Sequence, residues 1–98
     1  MLQIEWSDSH GWHEPRIIPY GNLSVDPTAG VFNYGFECFE GMKAYKDAQG
    51  RTRLFRPEVN IARLNQSAAR VTLPMFDSAA FLTILAEFVA IESRHIPA

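Results

Sequence analysis

Cysteine is almost missing from this chain. Cys38 is the single one in 98 residues, so no internal disulfide can form; the sequence does not read as a secreted disulfide scaffold, and a reducing compartment is implied. No apolar run reaches transmembrane length, and Met1 to Trp6 carries neither a basic n-region nor an apolar h-region. A membrane is therefore not an expected partner. Lysine is also scarce: Lys43 and Lys46 stand against seven arginines, the formal net charge is −2, and only Arg51, Arg53 and Arg56 cluster. That leaves no footprint for a phosphate backbone, so nucleic acid is not an expected partner either. Repeats and low-complexity segments are lacking too. What is present, 47% hydrophobic and 20% charged residues, suits one domain with a modest core.

The most unusual stretch is Phe32-Asn33-Tyr34-Gly35-Phe36-Glu37-Cys38-Phe39-Glu40-Gly41-Met42-Lys43-Ala44-Tyr45. Gly35 and Gly41 remove Cβ where a backbone turns sharply or approaches another group, and aromatic and acidic side chains lie between them. One expectation is a helical turn feeding a strand that carries a site. The plainer one is a glycine-punctuated core strand with Phe36 and Phe39 filling the interior.

Around this stretch the chain alternates apolar and polar residues over Leu2-Gln3-Ile4-Glu5-Trp6, which predicts an entry strand, and Arg16 to Tyr20 predicts a second extended piece. Asn22 to Gly30 reads as a loop. From Cys38 to Tyr45 the spacing predicts a strand with Cys38, Glu40, Met42 and Ala44 on one face and Phe39, Gly41, Lys43 and Tyr45 on the other. Asp47-Ala48-Gln49-Gly50 predicts a hairpin turn returning through Arg51 to Phe55. Pro57, Glu58 and the apolar recurrence Ile61, Leu64, Ala68, Val71 predict a helix over 57–71. Asp77 suits an N-cap for a second helix ending near Ser93. The fold class is α+β: a small, mainly antiparallel sheet with two helices packed on it.

Three features invite a chemical reading. His10 and His13 form an H-x-x-H, but Gly11 lies inside it, the context is a loop and no acidic or cysteine partner sits at ligand spacing, so no metal is expected. Arg63 projects from the margin of the apolar helix face, where its fork of donors suits a phosphate or carboxylate; the alternative is an arginine with its stem on the core edge and its head in water. Tyr34 offers a phenol for orienting a ligand and a ring for a wall, against the alternative of a core tyrosine with a satisfied hydroxyl.

The run Asn33 to Tyr45, the join Arg53-Leu54-Phe55-Arg56-Pro57, the helix segment Asn60-Ile61-Ala62-Arg63-Leu64-Asn65-Gln66-Ser67-Ala68 and the pair Leu73-Pro74 closely resemble the branched-chain amino acid aminotransferases, pyridoxal-phosphate enzymes of fold type IV. Glu5-Trp6, Gly11-Trp12, Pro15-Arg16-Ile17 and Pro19 extend the resemblance over nearly the whole chain, and it is closest to the eukaryotic-type branch. It implies amino transfer between leucine, isoleucine or valine and 2-oxoglutarate with pyridoxal 5′-phosphate as cofactor. By the same resemblance Arg63 helps bind the cofactor phosphate. Tyr34 and Phe39 wall the substrate side-chain pocket, Tyr34 on behalf of the neighbouring protomer of a homodimer, and Gly41 keeps that pocket clear. Cys38 is a small core hydrophobe.

One requirement of that family is unmet. Pyridoxal chemistry needs a reactive lysine, and neither Lys43 nor Lys46 stands in the family's lysine context. The resemblance therefore implies that residues 1–98 are the amino-terminal small domain, with no catalytic residue of their own. The large catalytic domain that carries the lysine and most of the phosphate cradle would be a necessary partner. It implies that the chain is cut at both ends, with His95-Ile96-Pro97-Ala98 falling where an interdomain connection begins, and that the parent enzyme is cytoplasmic or mitochondrial. Two other expectations remain: a free-standing, non-enzymatic module of the same fold, and another fold-type IV enzyme such as a D-amino acid aminotransferase or aminodeoxychorismate lyase.

Overall fold

The computed structural model describes residues 1–97; Ala98, the last residue of the expected interdomain connection, lies outside the described residues. The chain begins with two nested antiparallel ladders. β1 (Leu2–Gln3) pairs with β4 (Arg16–Ile17), Leu2 opposite Ile17, and β2 (Trp6–Ser7) pairs with β3 (Gly11–Trp12), Trp6 opposite Trp12. The inner turn closes through Gly11 at φ 79°, a conformation that costs glycine little and other residues more. Pro15, which has no N–H to give a ladder, separates the inner ladder from the outer one. The expected single strand over residues 2–6 is thus two short strands.

After a loop in which the Asp26 carboxylate accepts hydrogen bonds from the Thr28 N–H (2.7 Å) and hydroxyl (2.6 Å), the chain makes α1 (Val31–Tyr34), one turn long. Gly35 ends it in the left-handed region at φ 66°. The expected helical turn is there. The strand that follows is shorter than expected: 36–43 runs outside any ladder, and only β5 (Ala44–Lys46) pairs with β6 (Thr52–Leu54). Asp47 organises the hairpin by accepting from the backbone N–H groups of Gln49 (3.0 Å) and Arg51 (2.9 Å) and from both arginine side chains, Arg51 at 2.8 Å and Arg53 at 3.0 Å. Those donors hold its carboxyl below the usual range, the Arg51 N–H first among them.

α2 (Pro57–Arg70) starts at the proline and ends in a Schellman motif in which the Thr72 N–H bonds the Ala69 carbonyl (3.2 Å) and the Leu73 N–H the Ala68 carbonyl (2.9 Å). Thr72 takes the left-handed position at φ 60°, where glycine is usual. α3 (Ser78–Ile91) is capped as expected, the Asp77 carboxylate accepting from the Ala80 N–H at 2.8 Å, and a 3₁₀ turn, Ser93–His95, follows it. The class is α+β as expected. Its antiparallel strands form three separate two-stranded ladders, with α2 packed on α3.

The core is small. Ile61 and Ala68 of α2 are its fully buried apolar residues among those described, joined by one polar residue, Asn65. The burial of Asn65 has a clear cause: its amide brackets the Phe76 peptide, accepting from its N–H (3.0 Å) and donating to its C=O (2.8 Å), and also reaches Ser78 Oγ (3.1 Å). A one-residue clamp therefore fixes the α2–α3 connection. Outside this centre the molecule is open. Its accessible surface is 7720 Å², against roughly 5,700 Å² for a compact monomer of this mass. Its radius of gyration is 15.1 Å, against about 13 Å for a compact chain of this length.

Candidate functional site

Between the β5–β6 hairpin and the first two turns of α2 lies a hollow of about 630 Å³, lined by Gly41, Met42, Lys43, Tyr45, Phe55, Arg56, Val59, Asn60 and Arg63. Three of these side chains are cationic and none is acidic. The hairpin turns the chain back so that Phe55 and Arg56 meet Met42 and Lys43, and α2 then carries Asn60 and Arg63, one helical turn apart, past the same opening. A hollow bordered by three cations suits an anion such as a phosphate ester.

One acid stands immediately behind these cations. Glu40 takes the Arg63 guanidinium with two hydrogen bonds, Nε to Oε2 at 2.9 Å and Nη2 to Oε1 at 2.8 Å. The carboxylate is itself gripped: the Gly41 N–H donates to Oε1 at 3.0 Å, and Asn60 Nδ2 donates to Oε1 (3.2 Å) and to the Gly41 carbonyl (2.9 Å). Its side chain is 18% exposed while that of Arg63 is 54% exposed. The Arg63 hydrogen bonds, aided by Asn60 and the Gly41 N–H and opposed by partial desolvation, pull the Glu40 carboxyl down to about 2. The same pairing raises Arg63. Both groups are charged throughout the physiological range, and Nη1 of Arg63 makes no hydrogen bond among the described residues.

The expected site residues divide in two. Gly41 and Arg63 come together on the hollow. Tyr34, 76% exposed at the end of α1, and Phe39, 91% exposed, do not line it. Their exposure removes the plainer expectation that the glycine-bounded run is core: Phe36 is half-exposed as well, folded back on Gly30, where an added Cβ would come within 2.8 Å of its ring. A Cβ built on Gly41 would meet nothing within 4 Å in this chain. Lys43 borders the hollow, exposed, and Lys46 is half-buried in β5. Cys38 is half-buried beside Ser67 and Arg70 of α2. His10 and His13 stack with ring centroids 4.7 Å apart, and His13 Nε2 lies 2.9 Å from Ser7 Oγ.

Sequence reasoning passed over Glu40 and Asn60. A signal for Glu40 was present: an acid on the strand face it shares with Cys38, Met42 and Ala44 needs a partner.

The branched-chain aminotransferase of Saccharomyces cerevisiae mitochondria is 47% identical over 97 residues, which is 99% of this chain and 25% of that protein. The cytosolic branched-chain aminotransferase of Mus musculus is 43% identical over the same extent, covering 25% of its length, and branched-chain-amino-acid transaminase 1 of Bacillus subtilis is 43% identical, covering 27%. The chain is homologous to a stretch of the branched-chain-amino-acid aminotransferases. No protein-family model matches it. The chain spans about a quarter of the length of the aminotransferases it matches. The bacterial and mouse enzymes stand level at 43%, so identity alone draws no line around a eukaryotic-type branch. The related aminotransferases include mitochondrial and cytosolic proteins. No helix among the described residues of this one is long and apolar enough to cross a membrane.

Proposed function

We propose that this chain is the amino-terminal small domain of a pyridoxal-phosphate-dependent transaminase that moves the amino group of leucine, isoleucine or valine to 2-oxoglutarate. The observation that carries this is the 47% identity over 99% of the chain to a branched-chain-amino-acid aminotransferase. In this function Arg63 holds the cofactor phosphate at the mouth of the hollow, with Lys43 and Arg56 adding positive potential. Pyridoxal 5′-phosphate, when bound, supplies the electron sink for exchange of the amino group. Phe39 walls the aliphatic side chain of the substrate, Tyr34 does so in the site of a neighbouring protomer once that protomer is docked, and Gly41 keeps the pocket clear. A separate large domain brings the reactive lysine. The surface excess of about 2,000 Å² over a compact monomer is of the size that such docking covers. The parent enzyme works in the cytoplasm or the mitochondrion.

The test joins residues 1–98 to the remaining three quarters of the S. cerevisiae mitochondrial enzyme and assays amino transfer from leucine to 2-oxoglutarate. Activity on branched-chain substrates is the expected result. A folded, cofactor-loaded chimera that acts on D-amino acids instead, or on no amino acid, overturns the assignment. The chain alone, mixed with pyridoxal phosphate and borohydride, should form no stoichiometric adduct at one lysine; an adduct at Lys43 or Lys46 would show that the missing lysine is not missing.

A further inference from the structure

We propose that Glu40 is the positioning residue of the anion site: it fixes one edge of the Arg63 guanidinium so that the opposite edge is presented, in one orientation, to a phosphate ester. The proposal rests on the phosphate role given to Arg63 above. It starts from a conflict of signs. An acid 2.8 Å from the cation that is to bind an anion weakens the local positive potential, so on Coulombic grounds alone Glu40 harms the site. Its geometry says what it contributes instead.

Arg63 sits on the surface with more than half its side chain exposed, and a free arginine there would sample many rotamers and lose that freedom on binding. Glu40 removes most of it beforehand by taking Nε and Nη2, one edge of the fork. Two of the five N–H donors are used and Nη1 keeps both of its own. The carboxylate can act as a fixed support because it is anchored without Arg63: the Gly41 N–H and Asn60 Nδ2 both hold Oε1, and Asn60 ties the Gly41 carbonyl to the same point. A carboxylate that only balanced charge would not need those two bonds of its own. Asn60 and Arg63 share α2, so the helix and the unpaired 36–43 segment are locked together at the place where the anion is to sit. Such supports behind a binding group are typically worth about ten- to a hundredfold in affinity where they have been removed around metal ligands.

The experiment uses the isotope-labelled chain for NMR and, because most of the phosphate cradle is assigned to the large domain, the chimera described above for affinity, with inorganic phosphate and pyridoxal 5′-phosphate as probes. It reads two things: solvent exchange of the Arg63 Nε–H by NMR without ligand, and affinity for each probe. Glu40→Gln should speed Nε–H exchange at least about tenfold and weaken both probes by about tenfold, although it removes a negative charge from the site. Glu40→Asp, which keeps the charge and withdraws it by one methylene, should weaken them similarly. In an Arg63→Ala background neither substitution should change anything further. Tighter or unchanged binding in Glu40→Gln, or an unchanged Nε–H, overturns the positioning role. If Arg63→Ala binds phosphate as well as the parent, or the parent binds neither probe, the phosphate role falls; the Nε–H comparison then still decides whether Glu40 holds Arg63. Thermal melts of each variant identify any that fail to fold, and the Glu40→Asp variant then carries the comparison.

Discussion

Asn65→Leu should be among the most damaging single substitutions in the chain, although it replaces one side chain by another with the same heavy-atom branching. Asn65 is 7% exposed and makes three hydrogen bonds, two of them to opposite sides of the Phe76 peptide. Each such bond contributes about 1 kcal/mol net. Ser78 Oγ belongs to an exposed residue and can turn to water, so its bond is the least costly to lose. The Phe76 N–H and C=O lie against the helix pair, and losing their partners costs about 1–3 kcal/mol each where water cannot replace them. Against this, the leucine adds apolar burial of about 1 kcal/mol. The balance is a destabilisation of about 2 kcal/mol. For a chain with so small a core, total stability belongs at the low end of the usual range, about 5 kcal/mol, so the loss is a large fraction of it. Urea denaturation followed by circular dichroism measures it as a lower midpoint with unchanged slope. Asn65→Asp, which can still accept from the Phe76 N–H but sets a carboxylate against its carbonyl, should be at least as harmful at neutral pH. If Asn65→Leu falls within 0.5 kcal/mol of the parent, roughly the spread of neutral surface changes, the clamp does not hold the α2–α3 connection.

Four further outcomes are expected. Thr72→Gly should stabilise the chain by up to about 1 kcal/mol, since a β-branched residue in the left-handed region costs roughly 1–2 kcal/mol and glycine gives part of that back in unfolded-state entropy; a lower urea midpoint would mean that the Thr72 side chain does something its backbone conceals. The Glu40 carboxyl, lowered in the folded chain to about 2 from an ordinary 4.5, contributes stability that is present above about pH 5 and lost as pH falls toward 2, so parent and Glu40→Gln melting curves should converge over that window; parallel curves from pH 7 to 2 would refute the pairing. Gly41→Ala should leave the melting of the chain alone unchanged, because the Cβ meets nothing, while lowering branched-chain transfer in the chimera; a destabilised chain would place the need for glycine inside this fold instead. The chain alone should elute from size exclusion as an associating species or melt at low temperature, given its exposed Tyr34, Phe39 and Phe55; a well-behaved, cooperative monomer would count against a fold that needs a partner.

The legible parts of the sequence were those governed by local chemistry. Pro57 with Glu58 at the start of α2, Asp77 at the cap of α3 and the Asp47–Gly50 turn each carry their own instruction, and each element formed where that instruction stood. Strand lengths were not legible, because alternation over Leu2 to Trp6 or Cys38 to Tyr45 states a preference that needs a paired edge to be realised. Between residues 36 and 43 the chain offers itself no such edge. Asn65 was hidden for a related reason: nothing next to it in sequence says that the Phe76 peptide will arrive beside it.

The site split along the same line. Gly41 and Arg63 meet because a hairpin and a helix inside this chain bring them together, whereas Tyr34 and Phe39 are exposed and do not line that hollow. The run from Phe32 to Tyr45 therefore has two ends with different physics. Its Glu40–Gly41 end is held by Asn60 and Arg63 and is complete within these residues. Its Tyr34–Phe39 end exposes aromatic rings at a cost that a lone soluble domain has no reason to bear. That contrast, more than any single residue, is why the proposal above places the docking of a partner at the aromatic end.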